Sequence, residues 1–271
     1  MTMITFDHNK CIGCGSCVKD CFKRIIEVKD GKASLVPGGT CIECGHCIAV
    51  CPVDAVSLPE YPMEEVQPVL KDMPSGETFL HFIKSRRAVR QFTAEPVSDE
   101  QISRIIDAGR YCPTAKNAQP VSYVVIRDKA VQTKIRGLSL VKLNEMAQDM
   151  LGTEADSRGR SLIEMYEEFC KDENGVDRLF FHAPVIVLVL SPAEAVRDAA
   201  AAAQCMELQC AAEGLGMLFS GYFCAGAAGN EEIADIIGLG DRTIARCLVI
   251  GHPDVKFRRT APRKKAEVTY I

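Results

Sequence analysis

Eight of the chain's fourteen cysteines lie within its first 51 residues, in two runs of identical spacing. They are Cys11-Ile12-Gly13-Cys14-Gly15-Ser16-Cys17-Val18-Lys19-Asp20-Cys21 and Cys41-Ile42-Glu43-Cys44-Gly45-His46-Cys47-Ile48-Ala49-Val50-Cys51, the second followed by Pro52. Both read C-x2-C-x2-C-x3-C. Three thiolates at that spacing can wrap one face of an iron–sulfur cubane, but the fourth cannot fold back onto it and ligates the other cluster of a two-cluster module. This crossing assigns Cys11, Cys14, Cys17 and Cys51 to one 4Fe-4S cluster and Cys41, Cys44, Cys47 and Cys21 to the second. Structural zinc also takes four thiolates, but usually from two separated C-x2-C pairs around one tetrahedron, a pattern that two consecutive four-cysteine runs fit poorly. The repeat supports the two-cluster reading, since a pseudo-symmetric pair of clusters requires two equivalent halves. Gly13, Gly15 and Gly45 agree with it, because a backbone wrapping closely around a cluster needs residues without a Cβ. The other cysteines (Cys112, Cys170, Cys205, Cys210, Cys224 and Cys247) are scattered and read as small apolar core residues.

A second constellation lies beyond residue 80. Ser85-Arg86-Arg87-Ala88-Val89-Arg90-Gln91-Phe92 presents a knot of guanidinium groups suited to a phosphate, with a solvated cationic helix end as the plainer alternative. Cys112-Pro113-Thr114-Ala115-Lys116-Asn117-Ala118-Gln119-Pro120 is a loop fixed by prolines that offers hydroxyl and amide groups. Gly251-His252-Pro253 precedes a basic tract from Lys256 to Lys265, which alone would read as a solvated tail. His46, His81, His182 and His252 show no metal spacing and read as structural or surface residues. No Ser-His-Asp order or paired-carboxylate motif stands out, and no catalytic residue is assigned.

The first 60 residues resemble bacterial-type two-cluster ferredoxins, with Phe22 standing where that family often has proline after the fourth cysteine. Residues 79–271 resemble the nitroreductase family of FMN-dependent oxidoreductases. That resemblance implies an α+β homodimer with FMN at the subunit interface. By matched motif, it implies that Arg86, Arg87 and Arg90 contact the FMN phosphate and ribityl chain, joined by Arg258 or Arg259. Pro113, Thr114 and Asn117 would lie along the ribityl and flavin ring. The stretch Gly214 to Gly221, with Gly216 and Met217, would pass close to the flavin, its backbone amides facing the charge of the reduced ring. The family often has serine where this chain has Ala88, so one hydroxyl contact is missing.

Elements to position these groups are visible in the pattern. Ile25 to Val28 and Ala33 to Val36 read as a hairpin around Asp30-Gly31. Ser98-Asp99-Glu100-Gln101 is a capping box opening a helix with Ile102, Ile105 and Ile106 on one face, and a further helix is expected over Thr78 to Lys84. Strands are expected at 121–127, 185–190 and 244–250, an alanine-rich helix at 198–214, and a helix from Glu231 to Ile237 capped by Asn230. Helices on a mixed sheet are the expected architecture. The fold class is thus α+β: a small ferredoxin-like domain over 1–60, a proline-containing linker over 61–78, and an FMN-dependent, nitroreductase-like α+β sandwich over 79–271. The segment 137–181 is expected to shape a substrate entrance.

A formal net charge of −4 and a pI near 5.8 exclude a global field for nucleic acid or anionic membrane. The longest aliphatic run, Val185 to Leu190, is far short of the roughly 20 residues of a spanning helix. Met1 to Lys10 lacks the apolar stretch of a secretory signal, which points to the cytoplasm, where thiols stay reduced. The expected activity is transfer of electrons through two clusters to or from FMN, with reduction of a conjugated small-molecule acceptor such as a nitroaromatic or quinone. The donor is of the ferredoxin type or is NAD(P)H. In the latter case NAD(P)H could reduce the flavin directly and the clusters could carry electrons outward. A non-catalytic redox sensor or electron carrier is the rival reading, and no DNA-binding motif accompanies it.

Overall fold

The computed structural model describes residues 4–271, so the first three residues of the Met1 to Lys10 reading lie outside the described residues. Two compact units form: one runs to Met73 and includes Thr114–Ala118, and the other comprises Pro74–Pro113 and Gln119–Ile271.

In the smaller unit β1 (Thr5–Phe6) is followed by α1 (Ser16–Asp20), the hairpin β2 (Ile26–Lys29) and β3 (Lys32–Leu35), α2 (His46–Ala49) and β4 (Val56–Ser57), which pairs antiparallel with β1. The hairpin forms where the alternation placed it, with Asp30 and Gly31 both left-handed at φ 50° and 72°, the pair of positive angles that a two-residue turn requires to match strand twist. The sequence repeat is also a structural one: each short helix follows the second cysteine of its run and is capped by a left-handed glycine, Gly15 or Gly45. Ile4, Ile25, Ile26, Ala33, Ala55, Val56 and Leu58 form a small core with Cys11, Cys17 and Cys47.

The larger unit comprises α3 (Gly76–Ser85), α4 (Asp99–Arg110), β5 (Ser122–Ile126), α5 (Lys129–Gln148), α6 (Asp156–Lys171), β6 (Val185–Ser191), α7 (Val196–Ala212), β7 (Gly216–Phe219), α8 (Gly221–Ala227), α9 (Glu231–Ile237) and β8 (Thr243–Gly251). Its sheet has the order β5-β6-β8-β7. Every residue of β6 is buried, which explains why it reads as an unbroken aliphatic run. Its side chains alternate faces: Val185, Val187 and Val189 pack with Ile102, Ile105 and Met206 on one side, and Ile186, Leu188 and Leu190 pack with Ile135, Leu143 and Phe223 on the other. Helices therefore cover both faces.

Both bonds of the Ser98–Gln101 capping box are present, and the Asn230 side chain accepts from the Ile233 N–H. The sheet is not mixed as expected. Its named strands pair antiparallel throughout, and the parallel pairing is confined to the isolated bridge between Ala88 and Met217. The scattered cysteines do not all join the core: Cys112, Cys210 and Cys247 are buried, Cys205 and Cys224 are partly buried, and Cys170 is exposed on α6. Among the described residues, no helix is long and apolar enough to cross a membrane.

Candidate functional site

The eight cysteines of the smaller unit are free thiols. Backbone N–H groups already point at their sulfurs: Ala33 donates to Cys11 Sγ (3.3 Å), Glu43 to Cys41 Sγ (3.2 Å) and Ala55 to Cys51 Sγ (3.2 Å). Hydrogen bonds to the sulfurs are among the features that set the potential of a cluster bound there. Burial pushes the Cys47 thiol up to about 11, and the neighbouring charges of Cys41 and Cys44 add to it. Cys17 is raised in the same way, by burial first and then by Cys11 and Cys14. Among the described residues no three His, Cys, Asp or Glu side chains gather tightly enough for a single metal ion. A cavity in this unit is lined by Cys41, Cys44 and Cys47 together with Cys21, the set that the crossed assignment names, and by the exposed Phe22. The residues present fit a 4Fe-4S cluster there.

In the larger unit the helix α3 ends at Ser85, and Arg86 leaves it in an extended conformation at φ −66°, ψ 146°. The chain then runs beside β7: the Val89 N–H donates to the Met217 carbonyl (3.1 Å), and Ala88 bridges Met217. Gly216 permits this approach, because a Cβ there would lie 2.8 Å from the Val89 side chain. The glycine-rich pattern at 214–221 predicts no strand, whereas Gly216–Phe219 forms one.

A cavity of about 250 Å³ opens at this junction, lined by Arg86, Arg87, Gly216, Met217, Phe257 and Glu207, among others. Four of the sequence-predicted residues thus meet at one place. Arg90, Arg258 and Arg259 are exposed and do not line this cavity. Pro113 is exposed, whereas Thr114 and Asn117 are partly buried and belong to the smaller unit. The Asn117 side chain donates to the Glu43 carbonyl at 3.0 Å.

Glu207 was not singled out from sequence. Its side chain is 7% exposed and accepts from Arg86 Nη1 (2.7 Å) and from Gln204 Nε2 (2.6 Å). The signal was present: Glu207 stands four residues after Ala203 and three before Cys210, both fully buried, so a carboxylate sits on the apolar stripe of α7. Arg86 is not satisfied by this pair, since its Nε is buried without a hydrogen-bond partner. A buried guanidinium N–H with no acceptor, beside a second arginine in a cavity, fits the phosphate end of FMN.

Residues 83–252 match the profile of the Nitroreductase family, and residues 3–61 match that of a 4Fe-4S dicluster domain. The chain belongs to the nitroreductase family and carries an N-terminal 4Fe-4S dicluster domain. A ferredoxin of Methanothermococcus thermolithotrophicus is 34% identical over 59 residues, which is 21% of this chain and 98% of that protein. The 4-nitrobenzoate reductase of Pseudomonas putida is 32% identical over 120 residues, covering 38% of this chain and 52% of that enzyme. A nitroreductase with bound FMN from Bacteroides fragilis shares the fold at a TM-score of 0.58 and 18% identity, over 71% of this chain and 97% of the other. The chain spans about a third of the length of a putative NADH dehydrogenase/NAD(P)H nitroreductase of Archaeoglobus fulgidus, 34% of it.

Proposed function

We propose that the chain is an FMN- and iron–sulfur-dependent oxidoreductase: electrons pass through its two 4Fe-4S clusters to or from FMN, and a conjugated acceptor such as a nitroaromatic or quinone is reduced at the flavin. The observation that carries this reading is the cavity where Arg86, Arg87, Gly216 and Met217 meet, with the Arg86 Nε awaiting an acceptor. Curated relatives named 4-nitrobenzoate reductase and nitrobenzene nitroreductase support the reaction class. Bound FMN supplies two-electron, hydride-equivalent chemistry, whereas each cluster handles one electron at a time.

The chain's own groups then have distinct tasks. Arg86 and Arg87 hold the phosphate, with Glu207 fixing one edge of the Arg86 guanidinium. Arg90, Arg258 and Arg259 join them when a homodimer closes the site. Gly216 and Met217 bring the β7 backbone beside the ring, and Pro113, Thr114 and Asn117 are the residues that the family resemblance assigns to the ribityl chain and ring. The donor is a ferredoxin-type protein or NAD(P)H.

Anaerobic stopped-flow spectroscopy of the protein with reconstituted clusters and FMN tests the proposal, with reduced ferredoxin, NADH and NADPH as donors. Cluster and flavin bleaching should both occur with at least one donor, and a nitroaromatic should restore both absorbances. A purified holoprotein that retains no FMN, or whose flavin is never reoxidised by any conjugated acceptor, would refute it.

A further inference from the structure

Within the larger unit, α4 and α7 pack in a register that two contacts fix. Arg104 Nε donates to Glu213 Oε1 (2.6 Å), at the residue that closes α7. Further along α4, Gly109 meets Met206, where a Cβ on the glycine would lie 3.0 Å from the methionine sulfur. Position numbers rise along α4 as they fall along α7, so the helices run antiparallel, and the residue three beyond Gly109 stays on the face turned to α7. That residue is Cys112, just past the C-cap Tyr111. Cys205, beside Met206, lies opposite it, and the two thiols are hydrogen-bonded to one another.

Their surroundings differ from those of inert core thiols. Cys112 is buried and Cys205 only partly so, which gives the pair one covered and one open member. The Tyr123 hydroxyl of β5 reaches the same helix crossing, 2.6 Å from where a Gly109 Cβ would stand. Among the described residues that hydroxyl is buried with no hydrogen-bond partner. Burial pushes the Tyr123 phenol up to about 12, with Cys112 and Cys205 adding to it. Tyr123 therefore remains an O–H donor at neutral pH, beside sulfurs that become good acceptors when ionised.

We propose that Cys112 and Cys205 are a redox-active pair, oxidised by low-molecular-weight disulfides to a bridge that staples the C-terminal end of α4 to the middle of α7. Cys205, the open member, loses its proton and attacks one sulfur of the small disulfide. A new S–S bond forms, the old one breaks, and the first small thiolate leaves and takes up a proton. Cys112 then loses its proton and attacks Cys205 Sγ in the mixed disulfide, releasing the second small thiol. Two protein thiols are thereby oxidised by two electrons in all, and one small disulfide is reduced to two thiols. The bridge closes the long loop from 112 to 205 and so restricts the unfolded chain. Both cysteines belong to the larger unit and neither lines the cavity of Arg86, so the inference stands apart from the FMN reading.

The test uses the full chain with both clusters and FMN, held anaerobically in hydroxyethyl disulfide and its thiol at stepped ratios. After an acid quench, free thiols are blocked in denaturant and the unreduced digest is read by mass spectrometry. The peptides of Cys112 and Cys205 should appear joined, as the predominant bridge among the cysteines outside the cluster runs. That bridge should be lost in Cys112→Ser, where Cys205 stops at the mixed disulfide, and in Cys205→Ser, where the buried Cys112 stays a free thiol. The oxidised parent should also unfold at a higher temperature than the reduced parent, a shift that neither variant shows. Recovery of Cys112 and Cys205 as free thiols or as separate mixed disulfides, under conditions that fully modify Cys170, would overturn the pairing. A bridge that does not raise the unfolding temperature would overturn the staple. Both results are read on the parent, which decides the question alone should either variant fold poorly.

Discussion

At the scale of single residues, the decisive pair is Arg86 and Glu207. Arg86→Ala should lower FMN affinity by more than about tenfold, because a charged hydrogen bond to phosphate contributes about 1.5 to 3 kcal/mol. It should also destabilise the fold by up to about 3 kcal/mol, since the nearly buried Glu207 carboxylate would be left with only Gln204, and the 28% exposure of the Arg86 side chain discounts the cost of a fully buried pair. Flavin release measured by fluorescence and thermal unfolding of the apoprotein separate these effects; unchanged FMN affinity would return the arginines to a solvated helix end. The arginines were legible in the sequence because three guanidinium groups within five residues are a chemical signal in themselves. Glu207 was not, because a carboxylate inside an alanine-rich helix declares itself only once the buried face of that helix is known. Cysteine burial was equally hidden. Cys170 is exposed, whereas burial pushes Cys112 up to about 11 with Cys205 adding to it. Iodoacetamide at neutral pH should therefore label Cys170 in the native protein well before Cys112, Cys210 or Cys247, as read by peptide mass spectrometry.

At the scale of elements, legibility followed how strongly local chemistry determined each piece. The β2–β3 hairpin, the capping box of α4 and the Asn230 cap of α9 all came through, since each is fixed by side chains within a few residues of the feature. β7 did not, because Gly216-Met217-Leu218-Phe219 has no β-branched residue and becomes a strand by pairing with β8. α3 starts two residues before the expected Thr78 for a related reason: Ser75, among prolines and polar residues, caps the helix by accepting from the Thr78 N–H. The proposed crossing of the ligand sets is the element-scale feature with the sharpest consequence. Cys21 ends α1 yet lines a cavity with Cys41, Cys44 and Cys47 on and before α2. Cys21→Ala should therefore damage the cluster of the second run and spare that of Cys11, Cys14 and Cys17, although it adjoins them in sequence. Iron content and EPR of that variant decide the matter: selective loss of the Cys11 cluster would mean that the sets are not crossed.

At the scale of the whole molecule, the question is what the smaller unit does for the larger. Each has its own core: Ile4 to Leu58 supply one, and the helices and sheet from Val97 to Ile250 supply two more. A truncated chain beginning at Pro74 should accordingly fold, and it retains Ser75, whose loss from the α3 N-cap would cost about 1 kcal/mol. Truncation has a further effect that the sequence did not show. Thr114–Ala118 packs with the smaller unit, so removing that unit leaves the segment without the Glu43 carbonyl and with Lys116 and Asn117 in unfavourable left-handed conformations. Hydrogen exchange across 114–118 should rise selectively, while β6 and β8 remain protected. The truncated protein should still bind FMN through Arg86 and Arg87, and chemically reduced flavin in it should still pass electrons to a nitroaromatic. Turnover supported by a ferredoxin-type donor should fall steeply, because the groups that accept single electrons are gone. At equal flavin loading, then, intact and truncated proteins should differ in donor-dependent turnover and agree in the rate at which prereduced flavin meets acceptor. Equal donor-dependent turnover in both would show that electrons enter the flavin without the clusters, and would leave the clusters as the outlet.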